Sequence, residues 1–249
     1  MKLRISCVCD IGPARDNNED IASVGMDLVR DEVLDIEQEI NGDRAFCLLV
    51  SDGMGGHDSG EYASQYTLES LRDFLTDKSE ERHDPVSELK DRIKRISAEL
   101  NRKAGDLNQG KAMGCTLSGI VWKSGKTLLV NVGDSRTYIL RKGRLRQLPP
   151  DQTTHERDLV PFPAGKALYN CIGAYCDTEA YVQDISGRLK VSDRIMICSD
   201  GLSDMLDDDR LEGILATGSA EECRSALVDA SQGNGGIDNV TVIVADILP

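Results

Sequence analysis

The chain has 249 residues, enough for one large domain or two small ones with a substantial core. Its 43 acidic and 29 basic residues leave a net charge of −14, which repels nucleic-acid phosphates and anionic membranes and argues against binding either by bulk electrostatics. At 40% hydrophobic and 29% charged it reads as an ordinary globular protein, and no apolar run approaches the roughly 20 residues of a membrane span.

The opening residues 1–10 turn acidic too soon for a secretory signal. Residues 2–9 and 21–26 read as short strands flanking an acidic Asn17-Asn18-Glu19-Asp20 turn. Residues 27–44 are polar and acidic, a surface loop or extended hairpin tip. Residues 45–51 form a buried strand ending at Asp52. From about residue 59 the period becomes helical, with Ala63, Thr67, Leu71, Phe74 and Leu75 on one face. A second helix starts near Pro85, with Val86, Leu89, Ile93, Ile96 and Leu100 at three- and four-residue spacing, and frays by 105–110. Residues 115–122, 126–132, 135–141 and 144–148 read as antiparallel strands joined by tight turns. Residues 149–170, with four prolines, suit an irregular surface excursion. Strands follow near 179–185 and 194–199, then a helix from Ala220 to about Ala230 and a last strand over 239–247. The eight cysteines form no Cys-x-x-Cys pair and sit mostly in apolar stretches, as reduced core residues of a cytosolic protein. Strands, then two helices, then runs of strands predict an α+β fold, and no repeat or linker divides the chain, so 1–249 is expected to be a single domain.

Four segments carry the chemistry: Asn17-Asn18-Glu19-Asp20, Ser51-Asp52-Gly53-Met54-Gly55-Gly56-His57, Ser199-Asp200-Gly201 and Gly236-Ile237-Asp238-Asn239. Each places a carboxylate where a strand or helix should stop, and two put Ser-Asp-Gly directly after an apolar run. Carboxylates gathered without cations repel one another, and a hard divalent cation with oxygen ligands relieves that. If the strand ends converge, Asp52, Asp200 and Asp238 could bind two cations with one carboxylate bridging. Glu19 and the Gly53 carbonyl would add oxygens, and Arg15 would offer a two-pronged donor to a phosphate. Such a pair activates water and stabilises a phosphoryl oxygen, and the donor set favours Mg²⁺ or Mn²⁺ over a caged Ca²⁺. Each segment also reads as a plain turn, cap or loop. Spacing alone supports a carboxylate metal site and leaves the reaction open.

The residues themselves resemble a known family. Asp10-Ile11-Gly12, Arg15, Asn18-Glu19-Asp20 and Asp52-Gly53-Met54-Gly55-Gly56-His57 with Gly60-Glu61 open the pattern. Gly114-Cys115-Thr116-Leu117, Asn131-Val132-Gly133-Asp134-Ser135-Arg136, Ser199-Asp200-Gly201-Leu202-Ser203-Asp204 and Asp238-Asn239-Val240-Thr241 continue it in order. The chain is similar from about residue 5 to 247 to the metal-dependent serine/threonine protein phosphatases of the type 2C family, in their bacterial form. The resemblance implies a four-layer αββα sandwich, two antiparallel β-sheets flanked by helix pairs, with a two-metal centre of Mn²⁺ or Mg²⁺ at one end. It implies that Asp52 bridges the metals, that Asp200 and Asp238 hold the first, and that Glu19 and the Gly53 carbonyl hold the second. Asp20 would act nearby through a metal-bound water, and Arg15 would grip the phosphate. Asp134, Asp200 and Asp204 match a third, weaker metal position. The implied reaction is direct attack of metal-activated water on phosphoserine or phosphothreonine, with no phosphoenzyme.

Three departures qualify this. Met54 stands where animal members carry a histidine proposed as general acid, and His57 reads as structural, so the leaving-group proton would come from a metal-bound water. The flap over about 151–173 is short and proline-rich. Residues 27–44 are longer than a hairpin needs. The expected partners are phosphorylated proteins and a cognate serine/threonine kinase, with no nucleic acid or membrane, for a cytoplasmic monomer. A phosphatase dedicated to one phosphorylated regulator would use the same centre. A metal-binding pseudophosphatase acting as a signalling module is disfavoured because Arg15 and all the carboxylates are present, and a two-metal nuclease because no basic stripe accompanies them.

Overall fold

A computed structural model describes residues 1–42, 44–56, 58–76, 84–107, 111–161 and 166–249. His57, residues 108–110 and part of the expected flap lie outside the described residues.

The chain opens with β1 (Lys2–Asp10), β2 (Ile21–Val24), β3 (Asp27–Val29), β4 (Glu32–Glu39), β5 (Phe46–Ser51) and β6 (Gly53–Met54). Two long helices follow, α1 (Asp58–Thr76) and α2 (Pro85–Leu107). Then come β7 (Gly114–Cys115), β8 (Leu117–Lys123), β9 (Lys126–Val132), β10 (Arg136–Arg141), β11 (Arg144–Leu148) and the short α3 (Thr154–Asp158). The chain closes through β12 (Ile172–Gly173), β13 (Tyr181–Asp184), β14 (Arg194–Cys198), α4 (Asp200–Ser203), α5 (Asp208–Leu215), α6 (Ala220–Gly233) and β15 (Val240–Leu248).

Two six-stranded antiparallel sheets result, in the orders β11-β10-β14-β15-β1-β4 and β13-β9-β8-β5-β2-β3. Three apolar layers hold them. Ile5, Leu48, Ile195 and Ile243 fill the space between the sheets. Cys47 and Leu49 of β5 face the other way, against Leu71 of α1 and Ile93 and Ile96 of α2. Met196 and Cys198 of β14 likewise pack with Leu211 of α5 and Leu227 of α6. Both faces of β5 and β14 are covered, so those strands read as nearly unbroken apolar runs. This is the α+β sandwich that the resemblance implies; α1 and α2 fall where the periodicity predicts, and α6 starts at Ala220 as expected.

Three details differ from expectation. Residues 27–44 are not a loop: β4 pairs along its length with β1, Lys2 opposite Glu39 through Cys9 opposite Glu32. Its alternation turns Leu34 and Ile36 toward the intersheet core, while Val33 and Glu37 of this edge strand face out. The expected strand over 115–122 breaks at Thr116, so that β7 joins β6 and β12 in a separate three-stranded sheet. Helices α3, α4 and α5 were not foreseen, and α3 lies in the stretch expected to be irregular. The N-cap of α5, Asp207, whose side chain accepts from the Arg210 N–H ahead of an acidic first turn, is the sequence signal for that helix.

Candidate metal centre

At one end of the sandwich, loops from both sheets enclose an open cleft of about 390 Å³. Glu19 comes from the β1–β2 loop, Asp52 and Gly53 from the β5–β6 junction, Asp134 from the β9–β10 turn, Asp200 from the start of α4, and Asp238 from the approach to β15. Five separate stretches of chain thus aim carboxylates into one space. Arg15 and Lys166 line the same cleft. Asp20 lies beneath it, only 1% exposed. Asp204 stands behind, ion-paired with Lys166. Among the described residues no three such side chains close into a tight ligand set. The carboxylates form an open lining rather than a cage.

Local contacts explain the placement. The Asp52 N–H donates to Thr116 Oγ1 at 3.0 Å, and the Thr116 N–H donates back to the Asp52 carbonyl at 2.8 Å. Thr116 Oγ1 also lies 2.6 Å from Ser135 Oγ, next to Asp134, so one threonine ties Asp52 to the Asp134 turn. Asn239 does the same across the cleft. Its amide donates to the carbonyls of Ile11 and Asn17, and its side-chain oxygen accepts the Glu19 N–H at 2.9 Å. Ser199, the N-cap of α4, donates to Asp20 Oδ2 at 2.6 Å. Two glycines make the approach possible. A Cβ on Gly53 would lie 2.1 Å from the Gly60 carbonyl oxygen, and a Cβ on Gly60 would lie 2.7 Å from the Glu19 carboxyl carbon.

Burial pushes the carboxyl groups of Asp20, Asp52, Asp134 and Asp200 above their ordinary range, and mutual repulsion adds to it. Asp52 rises well above, from burial and then from Asp20, Asp200, Asp134 and Asp238. Burial takes Asp20 to about 7, and burial with the charges of Asp204 and Asp238 takes Asp200 to about 6. Asp134 is raised by burial and by Asp200 and Asp151. Gathered and oxygen-only, with five carboxylates against Arg15 and Lys166 along the cleft, these side chains suit hard divalent cations.

Arg15 departs from a simple phosphate clamp. Its Nη2 donates to Asp238 Oδ2 at 2.6 Å and its Nε to the Ile237 carbonyl at 3.3 Å. Of the residues the sequence singles out, the structure brings Arg15, Glu19, Asp52, Gly53, Asp134, Asp200 and Asp238 to the lining of one cleft, with Asp20 and Asp204 beside it. Sequence reading assigned no role to Thr116, Asn239, Ser199 or Lys166, of which the first three stand in the quoted motifs. Met54 does line the cleft and offers no proton.

The chain is thus an αββα sandwich with an acidic cleft at one end. A profile of the protein phosphatase 2C family matches residues 30–229. The serine/threonine protein phosphatase PstP of Mycobacterium tuberculosis is 30% identical over 99% of this chain and 45% of its own length. The serine/threonine phosphatase stp of Listeria monocytogenes is 28% identical over 83% of this chain and 86% of its own length. The crystal structure of PstP superposes with a TM-score of 0.79 at 28% identity, covering 100% of both chains. The PstP catalytic domain in complex with two manganese ions superposes with a TM-score of 0.77 at 28% identity, over 100% of this chain and 99% of that one. The chain belongs to the protein phosphatase 2C family. It spans less than half the length of the mycobacterial relative.

Proposed function

We propose that the chain is a metal-dependent protein phosphatase that hydrolyses phosphoserine and phosphothreonine on protein substrates. The convergence of Glu19, Asp52, Asp134, Asp200 and Asp238 on one cleft beside Arg15 carries this reading. Asp52 would lie between two cations, Asp200 and Asp238 would hold one, and Glu19 with the Gly53 carbonyl the other. Asp20 would orient the hydration around them, and Asp134 with Asp200 and Asp204 would hold a third cation weakly. When bound, such a pair of Mn²⁺ or Mg²⁺ ions supplies an acidified water and positive charge for the phosphoryl oxygens.

The chain's own groups do the positioning. Thr116 sets the Asp52 backbone, and Asn239 sets Glu19 and Asp238 in relation to each other. Arg15, held through Nε and Nη2, keeps Nη1 for a phosphate oxygen. Lys166 brings a second positive charge from the flap region. Phosphorylated proteins as substrates, a kinase that supplies them and a monomeric state complete the reading. Eight free cysteines, seven of them buried, suit a reducing, cytoplasmic compartment. No helix among the described residues is long and apolar enough to cross a membrane.

The test uses metal-stripped protein with para-nitrophenyl phosphate and a phosphothreonine peptide, with Mn²⁺ or Mg²⁺ added and then chelator. Metal-dependent, chelator-sensitive release of phosphate that is lost in Asp52→Asn supports the reading. No turnover with either metal, in protein that binds both cations, overturns it in favour of a binding module.

A further inference from the structure

A second concavity, separate from the acidic cleft, lies between the edge strands of the two sheets, β11 and β13, with a volume of about 600 Å³. Its lining includes Arg141, Arg144, Arg146 and Arg188 and no carboxylate. In a chain with 43 acidic and 29 basic residues this is a local reversal of charge. Its floor is apolar, from Leu129, Ile139 and Ile185, and Tyr181 stands exposed at its rim.

The strand register explains the arrangement. Alternation along β11 places Arg144, Arg146 and Leu148 on one side, where Leu148 packs on the intersheet core. Leu145, on the other side, packs toward α5 and α6. Of the four arginines only Arg141 is fully engaged, through two bonds to Asp193 at 2.7 and 2.6 Å and one to the Arg188 carbonyl. Arg144 reaches Glu212 only at 3.9 Å with its side chain 86% exposed. Arg146 and Arg188 are exposed, and among the described residues their side chains have no ionic partner. At the free edge of β11 the Leu145 N–H already donates to Glu212 Oε2 at 2.7 Å. Recognition by the arginines would run through side chains.

The groove also leads toward the cleft. It ends at Leu148-Pro149-Pro150, and Gln152 just beyond accepts the Gly133 N–H through Oε1 at 2.9 Å, one residue from Asp134. Four residues of chain span at most about 14 Å. An extended segment with its phosphorylated residue in the cleft would lay residues on the order of five positions away into the groove.

We propose that this arginine groove docks acidic side chains flanking the phosphorylated residue of a protein substrate. It selects substrates by charge, a role that rests on the phosphatase reading and deepens it. Charge complementarity carries the choice of occupant: unpaired guanidinium groups over an apolar floor suit carboxylate side chains on an extended peptide.

The experiment compares two phosphothreonine peptides, identical except that residues four to eight positions away on both sides are Glu in one and Gln in the other. Wild type should favour the Glu peptide in kcat/KM by about 2- to 30-fold at low salt, the range for two exposed ion pairs. The preference should act through KM and shrink as salt is added. Arg146→Glu with Arg188→Glu should abolish it while turnover of para-nitrophenyl phosphate stays at the wild-type level. Fluorescence anisotropy of the non-phosphorylated Glu peptide reads docking without any turnover, so failure of docking and failure of the phosphatase reading are distinguishable. Equal kcat/KM for both peptides in wild type, or a preference that survives in the double variant, overturns the proposal. So does a dimer, seen by sedimentation, that the variant dissociates without changing peptide binding. If the double variant loses para-nitrophenyl phosphate turnover too, the exposed Arg146→Gln with Arg188→Gln takes its place under the same criteria.

Discussion

Thr116→Val tests whether the acidic cleft is built by hydrogen bonding or by packing. The side chain is 2% exposed, so valine keeps the shape and deletes one oxygen. That oxygen accepts the Asp52 N–H at 3.0 Å and meets Ser135 Oγ at 2.6 Å. The Asp52 N–H is partly buried and the Ser135 side chain almost wholly so, leaving two polar groups without this partner. At about 1–1.5 kcal/mol each, the loss should total roughly 2–3 kcal/mol. Thr116→Ser is the control. It keeps the oxygen and loses the methyl that backs Gly133, where Thr116 Cγ2 lies only 2.7 Å from the position a Gly133 Cβ would take. Its cost should be about 1 kcal/mol, near that of one buried methyl group. Urea unfolding of the metal-free proteins measures both, and calorimetric Mn²⁺ titration should show weaker binding in the valine variant alone, because Asp52 loses its anchor. If serine proves as costly as valine, or if valine shifts stability by less than about 0.5 kcal/mol, the hydrogen-bond account is wrong.

Asp52→Asn should abolish turnover yet raise the melting temperature of the metal-free protein by roughly 2–4 °C. It removes a carboxylate that burial and four neighbouring aspartates disfavour, and a lower melting temperature would count against that repulsion. Arg15→Ala should raise KM for phosphorylated peptides by about tenfold and leave Mn²⁺ affinity undiminished, since its Nη2 competes with a cation for Asp238 Oδ2. An unchanged KM would remove Arg15 from the phosphate pocket. Asp20, Asp134 and Asp200 are raised above the ordinary carboxylate value, so below their folded values the folded state holds more protons than the unfolded one. The stability they contribute is therefore lost as pH rises through those values. Melting temperatures of chelator-treated protein should rise from pH 8 to pH 5.5, and saturating Mn²⁺ should reverse the trend because the cation competes with protons. A flat metal-free profile would contradict the raised values.

Local sequence was enough for most of the strands and the long helices, and for the carboxylates that the fold brings to the cleft. The apolar runs ending at Asp52 and Asp200 predict buried strands because both faces of those strands meet other layers. The three- and four-residue spacing of Leu89, Ile93, Ile96 and Leu100 predicts α2 because one helical face must be covered. The Asp-Gly steps at 52–53 and 200–201 place carboxylates at element ends for reasons visible within a few residues. Other features rest on contacts that no short window contains. Strand β4 has an acidic edge-strand composition that reads as a loop until β1 supplies its partner across 23 to 37 positions of sequence. Thr116 reaches Asp52 across 64 positions, and Asn239 reaches Glu19 across 220. Arg15 reaches Asp238 across 223, where an ion pair forms in place of the open phosphate clamp that its residue type suggests. The arginine groove is likewise invisible along the chain, since Arg146 and Arg188 share it only because β11 and β13 end their respective sheets on the same side. Residue chemistry and periodicity are local properties, whereas partners, and the charges that a fold leaves unpaired, exist only once the sheets have stacked.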